Sequence, residues 1–271
     1  MLSLLSLFSV ARPSASCAQE KEIKEPKIEP KTESPNKAKD LPSPKQVIEK
    51  HIVALGGYEL LESRKTVRYH ARASKSNEPF DYEVYIADGY YYSKYSYDNG
   101  RVFERGINQG VGWTRTNGSS RRIVGEELRD LLSRHKLLCP VTAWLDTHKK
   151  IEVIGRGVIN DRDAYKLFFV NSEGYEKFRF FDVETGLILR TIAKEQYNTS
   201  IRHIVRDYSD YENMGDAVVP KTKRMKSNTV GSTTYRNYLF EIQSYEVDTK
   251  IPKGTFDLPQ TIAVQVANDV K

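Results

Sequence analysis

Residues 175–192 read YEKFRFFDVETGLILRTI, two alternating apolar strands joined by a turn at Glu184-Thr185-Gly186. A period of two places Phe178 and Phe180 on one face and Lys177 and Arg179 on the other. The same alternation recurs at Asp81 to Ala87 and Thr234 to Ile242. The pattern predicts a meander of long antiparallel strands, a broad sheet whose apolar face must be covered by something.

Working outward, turn signals stand at hairpin spacing. In the first run they fall at Ser76-Asn77, Asp88-Gly89, Asn99-Gly100, Asn108 to Gly110 and Asn117-Gly118. In the second they fall at Asn160-Asp161, Ser172 to Gly174, Thr185-Gly186, Met214-Gly215 and Gly231-Ser232. Between the runs the period changes. Gly125 to Leu138 carries Leu128, Leu131, Leu132, His135 and Leu138 at helical spacing, and Pro140 closes it. Ahead of the strands, Ser43-Pro44-Lys45-Gln46 combines an N-cap serine, proline at the first helical position and a glutamine that completes a capping box. The helix it opens buries Val47, Ile48, Ile52 and Leu55 and stops at Gly56-Gly57; a short second helix, Tyr58 to Ser63, follows.

The chain has 271 residues, 39% of them apolar, enough for one large β domain. We place it at residues 43–260, with a C-terminal tail at 261–271. Its 42 basic residues stand against 36 acidic ones, a net charge of +6, with the signs interspersed. A solvated face accounts for this better than a phosphate-binding groove, so no nucleic-acid partner is expected. The densest basic run, Lys221 to Lys226, lies on an expected strand and is a candidate contact for an acidic partner or an anionic lipid head group.

Residues 1–18 read as an export signal, with an apolar core from Leu2 to Val10 and small residues at Ser16 and Ala18 before a cleavable bond. Residues 19–42, rich in Lys, Glu and Pro, read as a disordered charged linker. These features predict a periplasmic protein. Ser14-Ala15-Ser16-Cys17 also resembles a bacterial lipobox, which would tether the protein to a membrane through an acylated Cys17; the polar Ser14 speaks against it. Cys139 then stands alone, as a buried thiol at the end of an apolar helix.

No catalytic motif is present. The histidines at 51, 70, 135, 148 and 203 have no metal-ligand spacing, so neither metal nor cofactor is expected. Gly106 to Gly112 falls between strands, where it reads as a hairpin and not a phosphate loop. Asp161, Asp163, Asp182 and Glu184 fall at turns, where carboxylates stabilise the turn itself. The Tyr-rich stretch with Tyr82, Tyr85, Tyr90, Tyr91, Tyr92 and Tyr95 fits sheet packing first; exposed rings beside Lys94 and Arg101 would also suit lipid head groups.

Several short motifs, in order, carry a family resemblance. They are Val53-Ala54-Leu55-Gly56-Gly57 ahead of Leu60-Leu61, Gly112-Trp113, Val153-Ile154-Gly155 ahead of Ala164-Tyr165, Phe181-Asp182-Val183-Glu184-Thr185-Gly186-Leu187, and Tyr208-Ser209-Asp210-Tyr211 ahead of Val219-Pro220. Together they resemble the LolA/LolB-like group of outer-membrane lipoprotein-sorting proteins across roughly Pro44 to Pro259. The resemblance implies a mainly β fold, an open antiparallel β-barrel with a helical lid that holds lipid or lipoprotein acyl chains inside without transforming them.

On that reading the cavity is lined by Phe80, Tyr82, Val84, Ile86, Leu167, Phe169, Phe178, Phe180, Leu187, Leu189, Tyr238, Phe240 and Ile242, and the lid by Leu128, Leu131 and Leu132. The polar contact that latches the lid in that family has no counterpart legible here. Two alternatives stay open. One is an envelope-stress sensor that uses the same fold to bind a protein partner, such as an envelope membrane protein; the other is an enzyme acting on an apolar substrate.

Overall fold

The computed structural model describes residues 41–134, 141–172, 174–197 and 200–269. The expected export segment, Cys17, most of the linker, His135, Leu138, Cys139 and Pro140 lie outside the described residues. Within them, thirteen strands form one antiparallel sheet.

The described residues open with helix α1 (Pro44–Ala54) and helix α2 (Tyr58–Ser63). Ser43 caps α1 as its sequence predicts: its hydroxyl accepts from the Gln46 N–H at 3.3 Å, while the Gln46 side chain accepts from the Ser43 N–H at 2.8 Å. Strands β1 (Thr66–Lys75), β2 (Glu78–Ala87), β3 (Tyr90–Tyr97), β4 (Val102–Asn108), β5 (Val111–Thr116) and β6 (Ser119–Ile123) then run up and down. Helix α3 (Gly125–Arg134), a single 3-10 turn (Val141–Ala143) and helix α4 (Trp144–Thr147) separate this run from the next. The second run is β7 (His148–Ile159), β8 (Arg162–Asn171), β9 (Glu176–Asp182), β10 (Ile188–Tyr197), β11 (Ser200–Met214), β12 (Ala217–Thr229) and β13 (Arg236–Val247).

Each strand pairs with its sequence neighbour, with one exception that makes the sheet continuous. β1 pairs with β13, so β6 and β7 are left as the two edges and the barrel does not close. Both edges are ill suited to pairing with another chain. β6 is only five residues long and carries Arg121 and Arg122, whereas β7 is broken by register shifts at His148/Lys150 and Val153/Gly155. The hairpin turns fall where the sequence places them; Asn117 and Gly118, at φ 47° and 88°, and Asn160 and Asp161, at 48° and 61°, adopt the left-handed pairs that match strand twist.

Two buried clusters form on the concave side. The first joins β1 to β4, β6 and β13 to α3, with Phe80, Val84, Ile107, Ile123 and Leu131 among its members. The second packs Val47, Ile48 and Ile52 of α1 over Leu167, Phe169 and Phe181. Residues read as a tail belong to a further helix, α5 (Gln260–Asp269), whose Ile262 is fully buried and which lies near β6. Among the described residues no helix is long and apolar enough to cross a membrane.

Candidate functional site

The concave side of the sheet holds a cavity of about 880 Å³ that the protein's own side chains leave open. One half is aromatic. Strand alternation on β2 turns Tyr82, Val84 and Ile86 inward, and pairing with β3 sets Tyr95 opposite Tyr82 and Tyr91 opposite Ile86. Tyr69 on β1 and Tyr238, Phe240 and Tyr245 on β13 continue this wall. The rings pack against one another, Tyr82 lying 4.5 Å from Tyr95 and 5.3 Å from Phe240 between centroids. Burial pushes the Tyr69 and Tyr82 phenols well above their ordinary value, so both are neutral.

The other half is cationic. Lys177 and Arg179 on β9, Arg202 and Arg206 on β11 and Lys223 on β12 line it, and the only carboxylate among the described lining residues is Glu195 on β10. Glu195 pairs with Arg206 at 2.8 Å. Arg179 has no carboxylate partner among the described residues. Its guanidinium carbon stacks 3.7 Å from the Trp144 ring centre and 4.7 Å from that of Phe169, and its Nη1 is buried without a hydrogen-bond partner. Burial, with Arg206 nearby, pushes its pKa down to about 10. Lys223 holds its ammonium 5.0 Å from the Phe240 ring centre, at the border between the two halves. Burial first, then Arg206, pushes its pKa down to about 8, with Glu195 opposing.

Helix α3 packs on the buried cluster beside the cavity and contributes no lining side chain among the described residues. Leu131 is fully buried, and Leu128 and Leu132 pack on the same cluster. Close docking depends on Gly112, where a Cβ would stand 2.6 Å from Leu128 Cδ1. A buried carboxylate fixes the helix: Glu127 meets Arg105 of β4 at 3.4 Å and Arg121 of β6 at 3.1 Å. In the sequence Glu127 reads only as an acid favouring the helix N-terminus, because its partners are set by docking of the helix and not by spacing. The first turn of α3 thus supplies a lid-fixing contact that the sequence does not reveal.

Of the expected lining residues, Tyr82, Val84, Ile86, Tyr238 and Phe240 face the cavity. Ile242 lines a smaller recess of about 270 Å³ that shares Tyr69, Tyr82, Lys223, Phe240 and Tyr245 with it. Phe80 is buried among the aromatic rings, 5.0 Å from Tyr97 and 6.0 Å from Phe240. Leu167 and Phe169 are on the concave side but lie beneath α1.

The expectation for β9 and β10 is inverted. Phe178, Phe180 and Leu189 pack with Ile159, Ala164 and Ile192 on the opposite face, so Lys177 and Arg179 face the cavity instead. Leu187 belongs to the turn after β9, its carbonyl accepting from the Asp182 N–H at 2.8 Å. A bulge sets the face of Leu189: Ile188 pairs with Phe181 and Arg190 with Phe180, leaving Leu189 as the extra residue on the outer side. The aromatic pair outside is covered by Lys166, whose ammonium lies 4.7 Å from the Phe178 ring centre. Alternation separates the two faces of a strand but does not say which of them is concave.

Asp182 behaves as a turn residue, as expected. It accepts from the Thr185 N–H at 2.6 Å and the Thr185 hydroxyl at 2.8 Å and pairs with Arg162 at 2.8 Å. Burial pushes its pKa up, but these contacts outweigh it and hold the group below the usual carboxylate value.

The fold is similar to that of known structures. A DUF1329 family protein from Desulfovibrio piger ATCC 29098 superposes with a TM-score of 0.52 at 15% identity, over 79% of this chain and 96% of that one. A LolA superfamily protein from Nitrosomonas europaea gives a TM-score of 0.51 at 11% identity, over 80% of this chain and 99% of that one. The chain therefore has the LolA-like fold, an open β-barrel with a helical lid. No protein-family model matches the sequence, and no curated protein is significantly similar to it.

Proposed function

We propose that the protein binds acyl chains of lipid or lipoprotein in the concave cavity and shields them from water without transforming them, as an exported envelope protein acting in lipoprotein sorting. The observation that supports this most directly is the open cavity of about 880 Å³ with its wall of Tyr69, Tyr82, Tyr95, Tyr238 and Phe240. A cavity of that size and shape is the usual setting for a small apolar ligand. Moving an acyl chain from water into it is favourable by about 0.8 kcal/mol per methylene. On this reading helix α3, held by Glu127, is the lid that admits and retains such a chain. Export rests on residues 1–18, with Gln19 as the mature N-terminus and Cys17 removed.

Mass spectrometry of organic extracts from gently purified protein tests the binding reading. Acyl lipids in near-stoichiometric amount are expected; an empty extract, together with no displacement of a hydrophobic dye by any acyl chain, would refute it. Phase partition tests the mature form. Soluble fractionation is expected, whereas detergent partition that is abolished by Cys17→Ser would show acylation.

A further inference from the structure

We propose that the cavity selects an anionic amphiphile, its acyl tail along the aromatic wall and its negatively charged head against Arg179, Arg206 and Lys223. The proposal rests on the acyl-binding reading and adds the chemistry of the head group.

The cations stand close together for a geometric reason. Arg179 on β9 pairs with Thr191 on β10, which pairs in turn with Arg206 on β11, so the two arginines flank a short side chain in one row across the sheet. Lys223 pairs with Tyr208, two residues beyond Arg206 on the same face. Thr191 and its inward neighbour Ala193 are small, which leaves room above β10 between the arginines. Arg206 pairs with Glu195 at 2.8 Å, whereas Arg179 has no carboxylate partner among the described residues.

Burying like charges together without counter-charge is costly. Two features show that the cost is real here. Arg179 relies on the faces of Trp144 and Phe169 and leaves Nη1 unsatisfied, and both Arg179 and Lys223 have depressed pKa values. An anionic head with two or three oxygen acceptors would satisfy them with charge-assisted hydrogen bonds, for which a guanidinium fork is well shaped. Polarity changes at one point, where the Lys223 ammonium lies over the Phe240 ring; a head held there leads its chain directly onto Phe240, Tyr82 and Tyr238. A carboxylate and a phosphate share this chemistry.

The test is displacement of the uncharged dye Nile red from the full chain by dodecanoate, dodecyl phosphate and dodecanol, with inorganic phosphate as a separate competitor. Wild type is expected to prefer the anionic chains over dodecanol by about tenfold or more, since hydrogen bonds to charged groups carry that much. Arg179→Gln and Lys223→Met should each reduce this preference severalfold, through a loss of affinity for the anionic chains. Thermal unfolding identifies a variant that has merely lost its fold, and Lys223→Met, which removes a half-buried cation, is the one expected to keep it. Equal affinity for dodecanol and the anionic chains would overturn the head-group proposal while leaving acyl binding intact. No displacement by any chain would overturn acyl binding and this proposal with it. Competition by inorganic phosphate as strong as that by dodecyl phosphate would overturn it in favour of a free-anion site.

Discussion

The imidazole of His51, buried on the inner face of α1, donates from Nδ1 to the carbonyl oxygen of Gly186 across 2.9 Å and so ties the first helix to the turn between β9 and β10. The ring lies between Trp144 and Phe181, with centroids at 5.9 Å and 5.2 Å. Trp144 in turn carries Arg179 on its face, so one stack links the helix anchor to the cationic wall.

That environment makes folding sensitive to acid. Burial, aided by Arg179 and opposed by the Gly186 bond, pushes the His51 pKa down to about 4. Between pH 6.5 and 4 the unfolded chain therefore takes up a proton that the folded one refuses, and stability falls as pH falls through this window, by roughly 3 kcal/mol in full. Denaturant titrations from pH 7 to 4 should show this loss. His51→Gln, which keeps a donor for Gly186, should flatten the slope; an unchanged slope would show that other groups carry it.

Gly186 is needed twice over. Its φ of +77° is unfavourable for other residues, and a Cβ there would stand 3.0 Å from the Lys50 carbonyl oxygen and 2.8 Å from Lys50 Cγ. Gly186→Ala is expected to cost about 2 kcal/mol, lowering the thermal midpoint by about 4–8 °C. A midpoint within a degree of wild type would mean that α1 moves away without penalty.

Lid fixation is tested at Glu127. Glu127→Gln removes the carboxylate that Arg105 and Arg121 share, in a site where Glu127 is only 8% exposed on its side chain. A loss of about 3 kcal/mol in the docking of α3 is expected. Hydrogen exchange should accelerate over residues 125–134 and remain unchanged on β1 to β3. Uniform acceleration across the sheet would instead place Glu127 in the global fold.

Alkaline pH tests the cationic wall. The folded pKa of Lys223, about 8, lies below that of an unfolded lysine, so the penalty for burying its charge is complete at neutral pH and is relieved as pH rises from 8 towards 10.4. Stability should rise over this interval in wild type relative to Lys223→Met. Affinity for dodecanoate should fall over the same interval, as the ammonium that faces Arg206 and Glu195 is lost. A flat comparison between the two proteins would contradict the depressed value.

Charge substitutions on the two faces should part company. Phe180→Glu places a carboxylate in the cluster with Leu189 and Ala164, away from the cavity. It is expected to lower stability by about 2 kcal/mol or more and leave the affinity of the folded protein for acyl chains unchanged. Leu131→Glu, on the lid helix α3 itself, should weaken binding in the protein that remains folded. Loss of binding on Phe180→Glu without loss of stability would return that ring to the cavity.

What the sequence by itself determined was local. Ser43 and Gln46 specify the start of α1, Asn117-Gly118 and Asn160-Asp161 specify tight hairpins, and alternation along β2 sorts Phe80, Tyr82, Val84 and Ile86 onto one face, because these depend on neighbours a few residues away. The ordered motifs from Val53 to Pro220 pointed to the open barrel that the fold shows.

Tertiary structure decided the rest. Alternation cannot tell a concave face from a convex one, and β9 shows the consequence: Phe178 and Phe180 pack outside beside Lys166, while Lys177 and Arg179 turn towards the cavity. A charged side chain can face the interior of a barrel when that interior is an open cavity and not a packed core. Pairing across long sequence separations brought Arg179, Arg206 and Lys223 into one wall, and docking of α3 set Glu127 against Arg105 and Arg121. Such contacts are fixed by sheet curvature, register and helix docking, which no period in the sequence records.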